Sequence, residues 1–298
     1  MRYSIIFVIL IAVSSIMIED STARYPLWFS IFFNTLMTVA IFNLMCIKKI
    51  KETYAACVKY KGVALRMMLF TLLIYTLCFF STEMVGASNY NSFYFAGSAL
   101  LGYWFLKAEK ERRRVNVRMS VVLLILCVAY GAYLCFSARS VTTCSLGILW
   151  AVTGSVSGYF YAVDSSRFAQ LAGTSANQIL ALRFDLLLLF SLFMLPKDTI
   201  QLVNSRSMLY MFVLALTGTA LPVYFLQRGI NVIGAEVNAI IVAFIPFLTM
   251  ILSVIFYRVF DLNESGFVII LTVLLILPLF PYGKIKRCKF VNRNGKLL

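Results

Sequence analysis

Histidine is absent from all 298 residues. That removes imidazole acid–base chemistry, serine–histidine triads and the usual zinc ligand sets together. Charge is also scarce. Only 13% of residues are charged and just 12 of them are acids, whereas a water-facing domain carries about 25% charged residues. The seven cysteines (46, 57, 78, 127, 135, 144 and 288) form no C-x-x-C pair and fall mostly inside apolar runs. They read as small buried hydrophobes rather than a redox or metal framework. No glycine-rich lysine loop is present to cradle a nucleotide. The stretch "GSVSG" (154–158) has Val156 where a nucleophile elbow needs serine.

What fills the chain is apolar: 61% of residues, with mean hydropathy +0.89. Ten runs approach the roughly 20 residues needed to span a bilayer: 3–18, 26–47, 62–82, 89–106, 119–136, 146–163, 177–195, 208–227, 237–257 and 266–282. None alternates as a barrel strand would, so the expected fold is an all-α integral membrane bundle of ten transmembrane helices. With the N-terminus in the cytoplasm, 20 of the 27 basic residues fall in cytoplasmic pieces and five in outer loops. That asymmetry orients the chain with both termini cytoplasmic. It also accounts for the net charge of +15 with no nucleic acid partner. The start "MRYSIIFVILIAVSSIMIEDSTAR" is signal-like but lacks a clear small-x-small cleavage site, and is read as an uncleaved first helix.

The dipeptide "GA" at 86–87 precedes the fourth run, and "GA" at 234–235 precedes the ninth. At that offset Leu100 falls on Leu248 and Lys110 on Arg258. Five runs then match five in order and rough length, and the odd number per half inverts one copy. The expected division is 1–140 and 141–283 as two inverted five-helix repeats, with 284–298 a basic cytoplasmic tail. Inverted repeats of this kind are a transporter architecture, with the substrate near the midplane.

The stretches "SANQILALRFDLLLLFSLFML" (175–195), "GTALPVYFLQRGINVIGAEVNAIIVAFIPFLTMILS" (218–253) and "LGILWAVTGSVSGYFYAVDSSRF" (146–168) resemble the seventh, the eighth with ninth, and the sixth helices of the drug/metabolite transporter superfamily, in its ten-helix EamA-type branch. The resemblance implies alternating access around a central cavity and leaves the substrate open. Its cargoes include amino acids, nucleotide sugars, purines and amphipathic cations. This chain departs from the pattern at Asn34, where the second helix would carry the counterpart of Arg183. It departs also at Arg228, where an aromatic is usual, at Ser98 opposite Pro246, and at Asp185, an added acid.

Ionisable groups inside spans are expensive and are functional candidates by default. Arg183 and Asp185 lead, as groups for substrate binding or proton coupling. At two residues' separation they face different directions, so Asp185 needs another partner. The amides Asn34, Gln178 and Asn238 must find hydrogen bonds wherever they lie, from a neighbouring helix or a ligand. Tyr75, Tyr159, Tyr161 and Tyr224 could line a cavity and stack on a flat or cationic ligand, whereas Trp28 and Trp150, near helix ends, read as interfacial belt residues. Glu83, with Glu19 and Asp20, could form an acidic outer vestibule. Arg228 and Glu236 flank a tight turn; they serve as an inner anchor and a helix cap, or as a gate. Gly154 and Gly158 form a G-x-x-x-G packing face, within the bundle or between protomers. Pro222 and Pro246 are expected to kink their helices. The sequon-like "NES" (263–265) is read as chance.

The sequence therefore points to a non-enzymatic secondary transporter in a bacterial inner membrane, exporting a small amino acid-like or aromatic metabolite. Membrane lipids, a coupling proton or counter-substrate and a homodimer partner are the associations it allows; no cofactor is expected. Uptake or exchange by the same fold, a non-transporting membrane partner protein and a membrane-embedded lipid-modifying enzyme are the alternatives.

Overall fold

The computed structural model describes residues 2–105, 110–226, 241–258 and 260–277. Every regular element among them is helical. In chain order the helices are α1 (Arg2–Arg24), α2 (Leu27–Met45), α3 (Ile50–Lys59), α4 (Lys61–Val85), α5 (Ala87–Phe105), α6 (Lys110–Ser137), α7 (Val141–Ala172), α8 (Ala176–Arg183), α9 (Asp185–Met194), α10 (Ser205–Ala215), α11 (Ile245–Tyr257) and α12 (Leu262–Ile276). Helix α10 passes into a π-helical turn, Leu216–Ala220, and continues to Leu226.

Among the described residues, seven helices are long and apolar enough to cross a membrane: α1, α2, α4, α6, α7, α8 joined to α9, and α10 with its continuation. Helices α11 and α12 are shorter and equally apolar. The protein is an all-helical, multi-pass membrane protein.

Local chemistry sets the boundaries. Ser140 caps α7 through the Thr143 amide, and α7 stops at Gly173 in the left-handed region. Capping boxes open α8 (Ser175 with Gln178) and α10 (Asn204 with Ser207). Asp261 accepts from the Asn263 and Glu264 amides to start α12. Between α4 and α5 the chain reverses on Gly86 at φ 81°, a conformation that costs glycine nothing.

Several boundaries differ from the apolar runs. The expected loop 48–61 contains α3, an amphipathic helix with Glu52 in its first turn and Lys59 in its last, matching the helix dipole. Helix α7 has 32 residues. At 1.5 Å per residue that is roughly 48 Å, well beyond a hydrocarbon core of about 30 Å. The seventh run is interrupted at Phe184, which divides α8 from α9. The two prolines sit where regular bonding is relaxed: Pro246 lies in the first turn of α11, just after a break at 243–244, and Pro222 just after the π turn. Each lacks the amide a regular helix would use.

Packing centres on α7, which lies between α4 and α5. A Cβ added at Gly147 would lie 2.6 Å from Val85 Cγ1, and one at Gly158 would lie 2.5 Å from Tyr94 Oη. The G-x-x-x-G face is thus spent on the chain's own α5. One core cluster joins α1, α2, α4, α8, α9 and α10 around Phe29, Phe42, Phe184 and Leu187. A second joins α5, α6, α7, α11 and α12 around Phe93, Leu123, Phe267 and Leu271. Further contacts join early and late helices. Helix α1 packs on α11 and on α10 with its π turn, while α7 packs on α5 and α4. Helix α2 packs on α10, while α8 and α9 pack on α4.

Candidate functional site

Arg183 and Asp185 lie on either side of the Phe184 interruption, and they turn away from each other. Arg183 is only 5% exposed. Its guanidinium lies 3.9 Å from the Tyr161 ring centroid, 4.9 Å from that of Phe184 and 5.7 Å from that of Tyr75. Three elements therefore build one aromatic cage: α4 brings Tyr75, α7 brings Tyr161, and the α8–α9 junction brings Phe184. Tyr75 meets Phe184 edge-on at 5.0 Å, and Phe42 stacks on the other side of Phe184 at 6.1 Å. A cation over desolvated rings gains up to about 2 kcal/mol. The rings satisfy charge but not directed hydrogen bonds, and Arg183 Nε is buried without a partner among the described residues. This is a donor with no protein acceptor among the described residues, held among aromatic faces.

Asp185 is half-buried and accepts a hydrogen bond of 2.9 Å from the Tyr54 hydroxyl of α3. Burial, and next the Asp185 carboxylate, push the Tyr54 phenol up to about 12, so it remains a donor at neutral pH. On the same helix, burial and then the Asp185 charge raise the Cys57 thiol above its usual range.

Gln178 is committed at both ends. Its Nε2 donates to Thr53 Oγ1 at 3.2 Å, and its Oε1 accepts from the Ser175 amide at 2.9 Å. Helix α3 is thus pinned to α8 and α9 by two adjacent side chains. Nearby, Arg66 of α4 donates twice to Asp164 of α7, both at 3.1 Å. These three ties lie at the pole that carries the basic loop 48–61. Neither Asp164 nor Tyr54 stood out in the sequence. Asp164 sits at the polar end of an apolar run, and Tyr54 has meaning only once α3 folds back.

The remaining candidates disperse. Asn34 is buried on α2 with Oδ1 unpartnered among the described residues. Tyr224 stacks edge-on with Phe225 at 5.6 Å. Glu83 is exposed on α4. Asp20 is held by Arg24 at 2.7 Å and by the Tyr210 hydroxyl at 3.0 Å. Asn238, Arg228 and Glu236 lie outside the described residues.

An unforeseen tie sits deeper in the bundle. Asn91 of α5 is buried and donates to Ser15 of α1 and Thr249 of α11, each at 2.9 Å. One polar residue in the run "SNYNSFYF" gives no sign that it joins three helices.

Residues 145–281 match the EamA-like transporter family. No curated protein matches the chain. A solved crystal structure, described only as a protein, is similar at TM-score 0.58 and 15% identity, covering 93% of this chain and 94% of that one. At that identity the likeness shows the fold alone.

Proposed function

Because the EamA-like match places this chain in the drug/metabolite transporter superfamily, we propose that it is a secondary carrier that exports a small metabolite bearing an anionic group and an aromatic or otherwise flat body. It works by alternating access between two inverted five-helix repeats, in a bacterial inner membrane with both termini cytoplasmic. The observation that carries the reading is the Arg183 cage. A buried guanidinium with an unpartnered Nε, walled by Tyr75, Tyr161 and Phe184 at an interruption of its span, suits a carboxylate whose body stacks on rings. Interrupted spans at the substrate site are a recurrent carrier device.

The repeat is supported by the reciprocal contacts. If the first run pairs with the sixth and each later run with its counterpart, the packing of α1 on α10 and α11 exchanges with that of α7 on α4 and α5. The packing of α2 on α10 exchanges with that of α8 and α9 on α4. The ties Tyr54–Asp185, Thr53–Gln178 and Arg66–Asp164 then close the basic-loop pole and must open for the carrier to reach the cytoplasm. Asp185 is the group positioned to feel that opening, and protonation or a counter-substrate could drive it.

Flux of an amino acid and aromatic acid panel into proteoliposomes tests the reading. At least one such solute is expected to cross, and Arg183→Met to abolish that flux while the circular dichroism spectrum is kept. The proposal fails if no solute crosses and Asp185→Asn fully complements a deletion strain. Both flux directions are measured, so uptake or exchange would be seen directly.

A further inference from the structure

Six cysteines fall among the described residues, all as free thiols, and two of them meet. Cys135 lies in the last turn of α6, and Cys144 is the fourth residue of α7. Only residues 138–140 connect the two helices, which pack against each other as a hairpin. Cys135 Sγ lies 3.3 Å from Ser145 Oγ, and its thiol also interacts with that of Cys144, side chain to side chain. The other four cysteines are dispersed. Cys46 and Cys57 belong to the pole of the basic loop, and Cys78 packs between the two core clusters. Cys127 precedes Cys135 by eight residues, about 12 Å along α6.

The surroundings of the pair are those of a reactive thiol rather than of a packed hydrophobe. Cys135 is half-buried, and Ser137, Arg139, Ser140 and Ser145 are exposed around it. An oxidant in water therefore reaches it, whereas Cys144 is 6% exposed and sits behind it. The orientation proposed above puts this turn on the outer face of the membrane. There the bacterial periplasm is kept oxidising by disulfide-donating proteins.

We infer that Cys135 and Cys144 are a disulfide site that staples α6 to α7 at the outer face, formed by exchange with a donor disulfide; its compartment rests on the orientation proposed above. The Cys135 thiolate attacks one sulfur of the donor, forming a mixed disulfide and releasing the donor's other sulfur as a thiolate. The Cys144 thiolate then attacks Cys135 Sγ and releases the donor's second thiolate. Two electrons pass to the donor, and the two protons lost from the cysteines end on its thiols. The Ser145 hydroxyl is placed to donate to the Cys135 thiolate as it forms. The product fixes α6 to the helix on which the packing centres.

The test begins with the full chain in detergent micelles, reduced, exposed to oxidised glutathione, quenched with acid, alkylated and digested with trypsin. Cleavage after Arg118, Arg139 and Arg167 puts the two thiols on separate peptides, 119–139 and 140–167, so only a disulfide holds them together. Mass spectrometry should find the linked pair at the summed mass less two hydrogens, with alkylation of both cysteines reduced about tenfold or more. Cys127→Ala, which removes the other cysteine of peptide 119–139, should keep the link, and Cys135→Ser should abolish it. Free thiols, glutathione that stays on Cys135, or a link that survives Cys135→Ser would overturn the site. This arm requires neither transport nor a membrane orientation, so its failure is distinct from failure of the carrier reading. Protein alkylated in intact cells should carry the same link. Free thiols there, in a chain that links in micelles, would overturn its formation at the outer face, and a reporter fusion after residue 115 would show whether the orientation fails with it.

Discussion

Substituting Tyr54→Phe removes one hydroxyl and leaves the ring, so it isolates the hydrogen bond that pins α3 to Asp185. A hydrogen bond to a charged group contributes about 1.5–3 kcal/mol. Tyr54 is 38% exposed, which places this one at the low end, about 1.5 kcal/mol. That corresponds to roughly a tenfold shift between docked and undocked α3, at about 1.4 kcal/mol per decade. Amide hydrogen exchange over residues 50–59 reads the shift directly, because local opening sets protection. Exchange there should accelerate about tenfold while α6 stays unchanged. Alkylation of Cys57, with the other cysteines replaced, gives a second reading. Docking holds the thiol up through burial and through the Asp185 charge, and only the thiolate reacts. Undocking therefore moves the alkylation profile to lower pH. Asp185→Asn should move it the same way, and the two substitutions together should do little more than one, as groups in contact are not additive. Unchanged exchange in Tyr54→Phe, or strictly additive effects, would refute the tie.

Gly158→Ala would push a Cβ to 2.5 Å from Tyr94 Oη, an overpacking cost of about 1–3 kcal/mol. Adding Tyr94→Phe leaves the nearest ring carbon at 3.5 Å, so the melting temperature should fall in the single variant and recover in the double. Asn91→Leu removes two buried hydrogen bonds that join three helices, and should lower the melting temperature more than Asn89→Leu, which removes a single part-buried bond to α6, at about 0.5–1.5 kcal/mol per bond. Arg66→Met leaves the Asp164 carboxylate buried and unpaired, whereas Asp164→Asn leaves a half-exposed arginine that water can serve. Thermal unfolding should separate the two in that order. Reporter fusions after residues 115 and 290 should both read cytoplasmic; a periplasmic signal at either would overturn the orientation.

The apolar runs were legible because each span must satisfy its backbone internally, which forces length and composition into the sequence. Arg183 and Asp185 stood out for the same reason, as charges where charge is costly. What the sequence concealed is geometry that a run of leucines does not encode. The interruption at Phe184 needs no proline or glycine, and α3 is ten residues in what reads as a basic loop. Tyr161 was legible as an aromatic that could line a cavity, but nothing in the sequence paired it with Arg183 across two spans.

The placement of α1 has a consequence for biosynthesis. Its main partner, α11, is made roughly 230 residues later, on the order of ten to fifty seconds at 5–20 residues per second. Throughout that interval α1 must sit in lipid with the serines it will later bury. Ser14 and Ser15 both turn their hydroxyls back to the Ile11 carbonyl at 2.9 Å, which lets the helix wait without an exposed donor. Helix α1 is therefore made long before its main partner, and a nascent chain arrested before residue 245 should hold α1 loosely enough to be extracted or cross-linked to insertion machinery.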